Sequence, residues 1–431
     1  MVRLAVWLTQ PSSRFASDEE SYFQVGSALL QGQQDLFWPP VTGWLIALVR
    51  LAGGSDALAL VRLAWIAMDV ACAVAVAILA GRLGRALWPA DAVRSTRFAS
   101  LATIAYAMYL PAVSYAQFAT SEIPALLATL WMLALVTAPG AATGSFVVAG
   151  VTAGVMVLTR PSLLPVLFTA PISIVGLWRR QAAYPAVALM AAGSCVIGAY
   201  AAWNWYAAGA LTISTNSAYN LFIGNRDQYA EDLNLFNPRA TAAQIEFRRQ
   251  QFAGQLPPFT QTPAESQRLA VQWIREHPGE FARRALGRLA RVFVPKTDVL
   301  ELIGGEGRAG VFAPASLLLL LLTNLQWTMV LFGGVAGLFV LRHRAPGWAG
   351  LLAAVIGGAV VLCLIAISKP RYSFVFDPLL MLSATMVAMD WRQVPGWLSR
   401  ADRWWLGLLA AFLLWGWAAF VVFAVTSRSA L

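Results

Sequence analysis

The chain has 431 residues, 59% hydrophobic and only 12% charged, against roughly 45–50% apolar and about 25% charged for an ordinary soluble domain. That excludes a soluble globular protein and predicts a polytopic membrane protein. The formal charge of +10 rests almost wholly on arginine, Lys296 and Lys369 being the only lysines, so the basic balance speaks of topology and anionic lipid rather than nucleic acid.

The first segment, Met1 to Leu8, is apolar but too short to span, which leaves a stub or a true start lying upstream; no cleavable signal peptide is visible. An acidic cluster follows, Ser17-Asp18-Glu19-Glu20-Ser21-Tyr22. Held against an apolar surface, such carboxylates are expected to be partly desolvated, which raises their pKa and makes them better proton acceptors; the alternative is a solvated loop that stops the first helix from sliding. Next, the stretch from Pro39 to Gly53 reads as a re-entrant or juxtamembrane helix.

Apolar segments then run at about 58 to 81, 98 to 117, 121 to 138, 145 to 159, 161 to 178, 184 to 206, 313 to 341, 347 to 368, 373 to 390 and 404 to 425. With the first segment, they predict a bundle of about 10 to 11 transmembrane helices. Inside the first long span, Asp69 costs roughly 2.5–3.5 kcal/mol on insertion scales and is expected to pair with another helix.

Arginines in the short connections, Arg82, Arg85, Arg94, Arg97, Arg179, Arg180, Arg342, Arg344, Arg392, Arg400 and Arg403, fall on one side if the spans alternate, and that side should be the cytoplasm. Asp18, Glu122, Arg160, Lys369 and Arg371 then share the exoplasmic side. Glu122 could simply meet a helix dipole, and either arginine could merely snorkel. Acids and bases gathered on one face suggest instead a site that binds an anion beside a general base.

Residues 207 to 311 form a hydrophilic, mainly helical exoplasmic insert between an N-terminal membrane core, 1 to 206, and the C-terminal helices, 312 to 431. In the insert, Thr262-Pro263-Ala264-Glu265 is a capping box with proline at the first helical position, opening a helix that ends near His277-Pro278-Gly279. A second helix, Glu280 to Phe293, sets Phe281, Leu289, Val292 and Phe293 against Arg283, Arg284, Arg288 and Arg291, a basic amphipathic pattern expected to lie in the headgroup plane. Cys72, Cys195 and Cys363 lie in apolar runs and read as small buried hydrophobes; His277 and His343 have no metal-ligand spacing.

These pieces, in order, resemble the GT-C glycosyltransferases that use polyprenyl-phosphate sugars, in the branch of the protein O-mannosyltransferases and lipid A aminoarabinose transferases. Asp18-Glu19-Glu20-Ser21-Tyr22 resembles the first-loop Asp-Glu-x-x-Tyr motif and Trp38-Pro39-Pro40 the paired-proline segment. Glu122, Leu158-Thr159-Arg160-Pro161, the stretch from Ile213 to Asn225 and the pair Arg371-Tyr372 follow in family order. Where many relatives carry Arg-Asn before the insert, this chain has Trp203-Asn204.

The resemblance implies Asp18 as catalytic base, Glu19 and Glu122 as supporting acids, and Arg160, Lys369, Arg371 and Tyr372 as donor-phosphate contacts. It implies no cofactor, with a divalent cation at Asp18 and Glu122 left open. It also implies a glycolipid, polysaccharide or protein acceptor, and, with the arginine-heavy, alanine-rich composition, a bacterial inner membrane with the site facing the periplasm. Asn216, Asn220 and Asn225 are expected to shape a turn. Two other readings stand beside this one: an O-antigen ligase or polymerase working through Arg275 and His277, and a lipid-linked sugar flippase or transporter.

Overall fold

The computed structural model describes residues 1–9, 15, 18–53, 58–178, 183–225, 262–297, 299 and 314–429, and among these every regular element is helical. Ser17, Arg179, Arg180 and most of the insert lie outside the described residues.

In chain order the helices are α1 (Val2–Thr9), α2 (Glu19–Leu30), α3 (Pro40–Gly53), α4 (Leu58–Leu87), α5 (Ala92–Ala107), α6 (Leu110–Tyr115), α7 (Glu122–Val136), α8 (Thr143–Thr159), α9 (Val166–Trp178), α10 (Ala183–Ala208) and α11 (Asn216–Gly224). After these come α12 (Pro263–Glu276), α13 (Pro278–Val292), α14 (Pro314–Arg344), α15 (Pro346–Ile365), α16 (Asp377–Met389), α17 (Val394–Trp397) and α18 (Arg400–Ser429).

Among the described residues, five helices are long and apolar enough to cross a membrane: α4, α10, α14, α15 and the part of α18 from Arg400 to Val421. Several other predicted spans are interrupted at proline. The run 98–117 divides into α5 and α6 ahead of Pro111, the run 161–178 opens as a 3-10 turn at Pro161–Leu163, and the run 373–390 is preceded by a 3-10 turn at Pro370–Val375. Proline lacks the N–H a helix needs and biases the preceding residue away from the α region.

The bundle has two chemically distinct ends. α4 has 30 residues, about 45 Å at 1.5 Å per residue. Near its start Arg62 binds Glu19, and at its finish the carbonyl of Leu87 accepts from Arg344 at 3.3 Å. The same far end holds the ion pairs Arg94–Asp390 and Arg342–Asp402. The arginine-rich connections are therefore roughly 35 Å of helix away from the Asp18 cluster.

Small residues bring the long helices close. A Cβ on Gly193 of α10 would stand 2.9 Å from the carbonyl oxygen of Gly150 in α8, and one on Gly334 of α14 only 2.6 Å from that of Leu380 in α16. Such approach lets backbones pack tightly where lipid provides no hydrophobic drive between helices.

Asp69 has the partners its cost demands. Arg3 of α1 forms a buried ion pair with it, and Tyr106 donates to its other oxygen at 2.5 Å. Arg3 also donates to the carbonyl of Ala107 at 2.6 Å.

The N-cap half of the expected capping box is present: the Thr262 hydroxyl accepts from the backbone N–H of Glu265 at 3.2 Å. The reading of α13 as a helix with its arginines among headgroups is corrected. Arg284, Arg288 and Arg291 are buried while Leu286 is exposed, and Arg288 donates to the carbonyls of Leu364 and Ile365 at 3.0 Å each. The cause is the end of α15, whose last carbonyls lack intrahelical partners and draw the guanidinium inward.

Candidate functional site

The site is built where helix ends meet. Asp18 is the residue ahead of α2 and does not cap that helix with its side chain; its carboxylate instead forms an ion pair with Arg371. α2 turns back on α3 at close range, since a Cβ on Gly26 would meet Ile46 at 2.8 Å. Glu122 opens α7, where a carboxylate faces the positive end of the helix dipole. Arg160 follows α8 in extended backbone, and Arg371 sits in the 3-10 turn at Pro370–Val375.

These four side chains meet. Arg160 donates to Glu122 Oε1 at 3.1 Å, and Arg371 Nε lies 3.5 Å from the same oxygen. The Arg160 guanidinium stands 4.8 Å over the Tyr372 ring, a cation–π geometry. They line a cavity of about 300 Å³ whose further walls are Trp38 and Pro39, the 216–221 stretch of α11, and the end of α15 with Ala366 and Ile367.

Sequence reasoning predicts that burial raises the pKa of Asp18, and the structure corrects this. Burial does act upward, but the charges of Arg371 and Lys369 outweigh it and hold the carboxyl below its ordinary value of 3.8. Asp18 is thus a carboxylate at neutral pH. Tyr372 is pushed up to about 12 by burial, against the pull of Arg371 and Arg160, and stays a neutral phenol.

Of the expected site residues, Asp18, Glu122, Arg160, Arg371 and Tyr372 line the cavity. Lys369 is not among its lining residues and acts on Asp18 through its charge. Glu19 stands apart, fully buried: Arg62 donates to its two oxygens at 3.0 and 2.7 Å, and the backbone N–H of Ala119 donates at 2.9 Å. Adjacent in sequence at the start of α2, Asp18 and Glu19 point to different partners, Arg371 and Arg62.

Sequence reasoning passes over a second layer. Lys296, buried, donates to the carbonyl of Pro370 at 3.1 Å, pairs with Asp377 at 3.2 Å and lies 4.3 Å over the ring of Trp327. Tyr109 donates to the same Asp377 oxygen at 2.9 Å. This network fixes the turn that carries Arg371. The available signal was that Lys296 is one of only two lysines, beside an apolar run.

Asn216 and Asn220, expected as turn formers, line the cavity, whereas Asn225 is buried and ties Leu221 to Ile365 through their carbonyls, each at 2.8 Å. Asn204 likewise braces the backbone, donating to the carbonyl of Thr212 at 2.7 Å, while Trp203 is exposed. Among the described residues no group of three or more His, Cys, Asp or Glu could hold a metal ion.

Fold and site together define an all-helical protein with membrane-length apolar helices and a cavity of paired charges at one end. No family model, curated protein or solved structure matches the chain.

Proposed function

We propose that the protein is an integral-membrane glycosyltransferase of the GT-C type, with about 10 to 11 crossings, working at the periplasmic face of a bacterial inner membrane. It transfers a sugar from a polyprenyl-phosphate donor to a hydroxyl of a glycolipid, polysaccharide or protein. The observation that carries this reading is the cavity in which Arg371 reaches both Asp18 and Glu122 while Arg160 flanks the same carboxylate.

The chemistry balances. The acceptor O–H gives its proton to Asp18 as its oxygen attacks the anomeric carbon; the bond from that carbon to the phosphate oxygen breaks, and the electron pair leaves on the polyprenyl phosphate. Attack opposite the leaving group inverts the centre. Arg160 and Arg371 stabilise the departing phosphate. Arg371 is paired with Asp18; a phosphate arriving at Arg371 competes for that guanidinium and turns the carboxylate toward the acceptor. Donor binding thereby arms the base.

The ligase reading draws no such support. The His277 ring stacks on Trp273 with centroids 5.0 Å apart, and neither Arg275 nor His277 lines the cavity. A transporter reading expects charges near the midplane of repeated halves, whereas these gather at one end of α4.

The test uses purified protein, radiolabelled polyprenyl-phosphate sugars and membrane glycolipid extract, with wild type beside Asp18→Asn. Transfer should vanish in the variant while donor binding persists. Normal turnover by Asp18→Asn would end the proposal.

A further inference from the structure

The cavity walls differ in chemistry, and the difference bears on which sugar the donor carries. One wall is ionic. It holds two carboxylates, Asp18 and Glu122, against two guanidiniums, Arg160 and Arg371, so its lining is balanced. Lys369 lies near enough to act on Asp18, and the lipid phosphodiester brings one negative charge to Arg160 and Arg371. Once it is bound, Asp18 is turned to the acceptor hydroxyl and Glu122 keeps Arg160, so neither carboxylate is left to pair with a cation on the sugar.

The facing wall is neutral. On α11, residues 216, 217, 220 and 221 occupy one helical face, because positions three and four apart stack, and all four line the cavity. The opposite face is committed to packing, with Phe222 and Ile223 buried against Ala270 and Ile367. Asn220 donates a hydrogen bond to the Asn216 side chain, and each amide has further donors and acceptors to offer.

Both ends of this wall are fixed. The backbone N–H of Thr215 donates to Leu36 at 2.8 Å and the Ser214 hydroxyl to the Phe37 carbonyl at 2.6 Å, while Asn225 binds the carbonyl of Ile365 at 2.8 Å. Paired amides on a fixed helix suit the vicinal hydroxyls of a carbohydrate, each of which both donates and accepts. At about 300 Å³ the cavity is at the small end of ligand-sized pockets. That is room for a monosaccharide with its phosphate.

We propose that the transferred sugar is an uncharged, polyhydroxylated monosaccharide read by Asn216 and Asn220, and that a donor bearing a cationic amino sugar is discriminated against. This rests on the glycosyl-transfer reading above.

The experiment measures equilibrium binding to full-length protein in nanodiscs with three probes: undecaprenyl phosphate, undecaprenyl-phosphate glucose and undecaprenyl-phosphate 4-amino-4-deoxyarabinose. Wild type should bind the glucose lipid more tightly than the bare phosphate, by roughly 5-fold per hydrogen bond or ~30-fold for two, and the amino-sugar lipid no better than the bare phosphate. Asn216→Ala/Asn220→Ala should lose that gain and keep affinity for the bare lipid, which also reports that it is folded. Asn220→Asp should shift preference toward the amino sugar.

A double variant that retains the full gain, or a wild type that prefers the amino-sugar probe, overturns the inference. If that happens while Asp18-dependent transfer persists, the catalytic reading stands and only the sugar assignment falls. If wild type binds none of the probes, both fall.

Discussion

Replacing Arg371 with methionine keeps an unbranched stem and removes the charged guanidinium. The guanidinium is shared by two acids, pairing with Asp18 and standing 3.5 Å from Glu122; afterwards Glu122 retains Arg160 at 3.1 Å, but Asp18 keeps only the more distant charges of Lys369 and Arg160. Two effects follow with different signatures. On the proposed transfer reading, the leaving phosphate loses one of its two charged donors, which by analogy with removal of an oxyanion-hole donor costs about 10²- to 10³-fold in rate. The second effect is on protons. In the intact protein the folded pKa of Asp18 is depressed, so the base is competent above the usual carboxylate value and fails only as pH falls below it. Without Arg371 the upward push of burial is less opposed, and the acid limb of the pH–rate profile should move to higher pH.

The assay is single-turnover transfer from saturating donor between about pH 3 and pH 8, wild type against Arg371→Met, with thermal unfolding recorded at each pH. A variant with a slower rate and an unmoved acid limb would refute the coupling of Asp18 to Arg371, and one with an unchanged rate would refute the phosphate role.

Glu19→Gln should act on stability. It strips a fully buried pair of its negative member, and breaking such a pair costs about 3–5 kcal/mol; the unfolding temperature in detergent should fall, and Glu19→Met/Arg62→Met should recover most of the loss. Lys296→Met should weaken donor binding by loosening the turn at Pro370 and leave Asp377 short of its cation, read as raised KM in a folded protein; an unchanged KM rejects the bracing role. Gly334→Leu should force α14 and α16 apart, at about 1–3 kcal/mol for overpacking, and lower thermal stability without altering the pH profile.

Much of the site was legible because its residues sit where the chain itself marks an edge. Asp18 and Glu122 precede helices, while Arg160 and Arg371 adjoin prolines, so each could be assigned to one face from hydropathy and loop position alone. The pairing of Arg371 with Asp18 across 353 residues was not legible, and with it went the sign of the pKa shift: burial can be read locally, but the opposing charge comes from the far end of the chain. The distinction between Asp18 and Glu19 needed the direction of two adjacent side chains, which a motif does not give. Asn216 and Asn220 read as a turn until α11 proves long enough for an i,i+4 face. The fold was legible as helices and apolar lengths; the breaks at Pro111, Pro161 and Pro370 show where hydropathy runs through a boundary that backbone chemistry enforces.

The bridge between residue 18 and residue 371 also sets a clock on biogenesis. As the ribosome feeds this polypeptide out, Asp18 waits for its counter-ion until a further 353 residues have been made. A product that stops short of residue 371 therefore carries the carboxylate without its paired cation. On the glycosyl-transfer reading proposed above, such partial copies would be inert among the membrane's activated sugars, and activity would wait for the segment that carries Arg371.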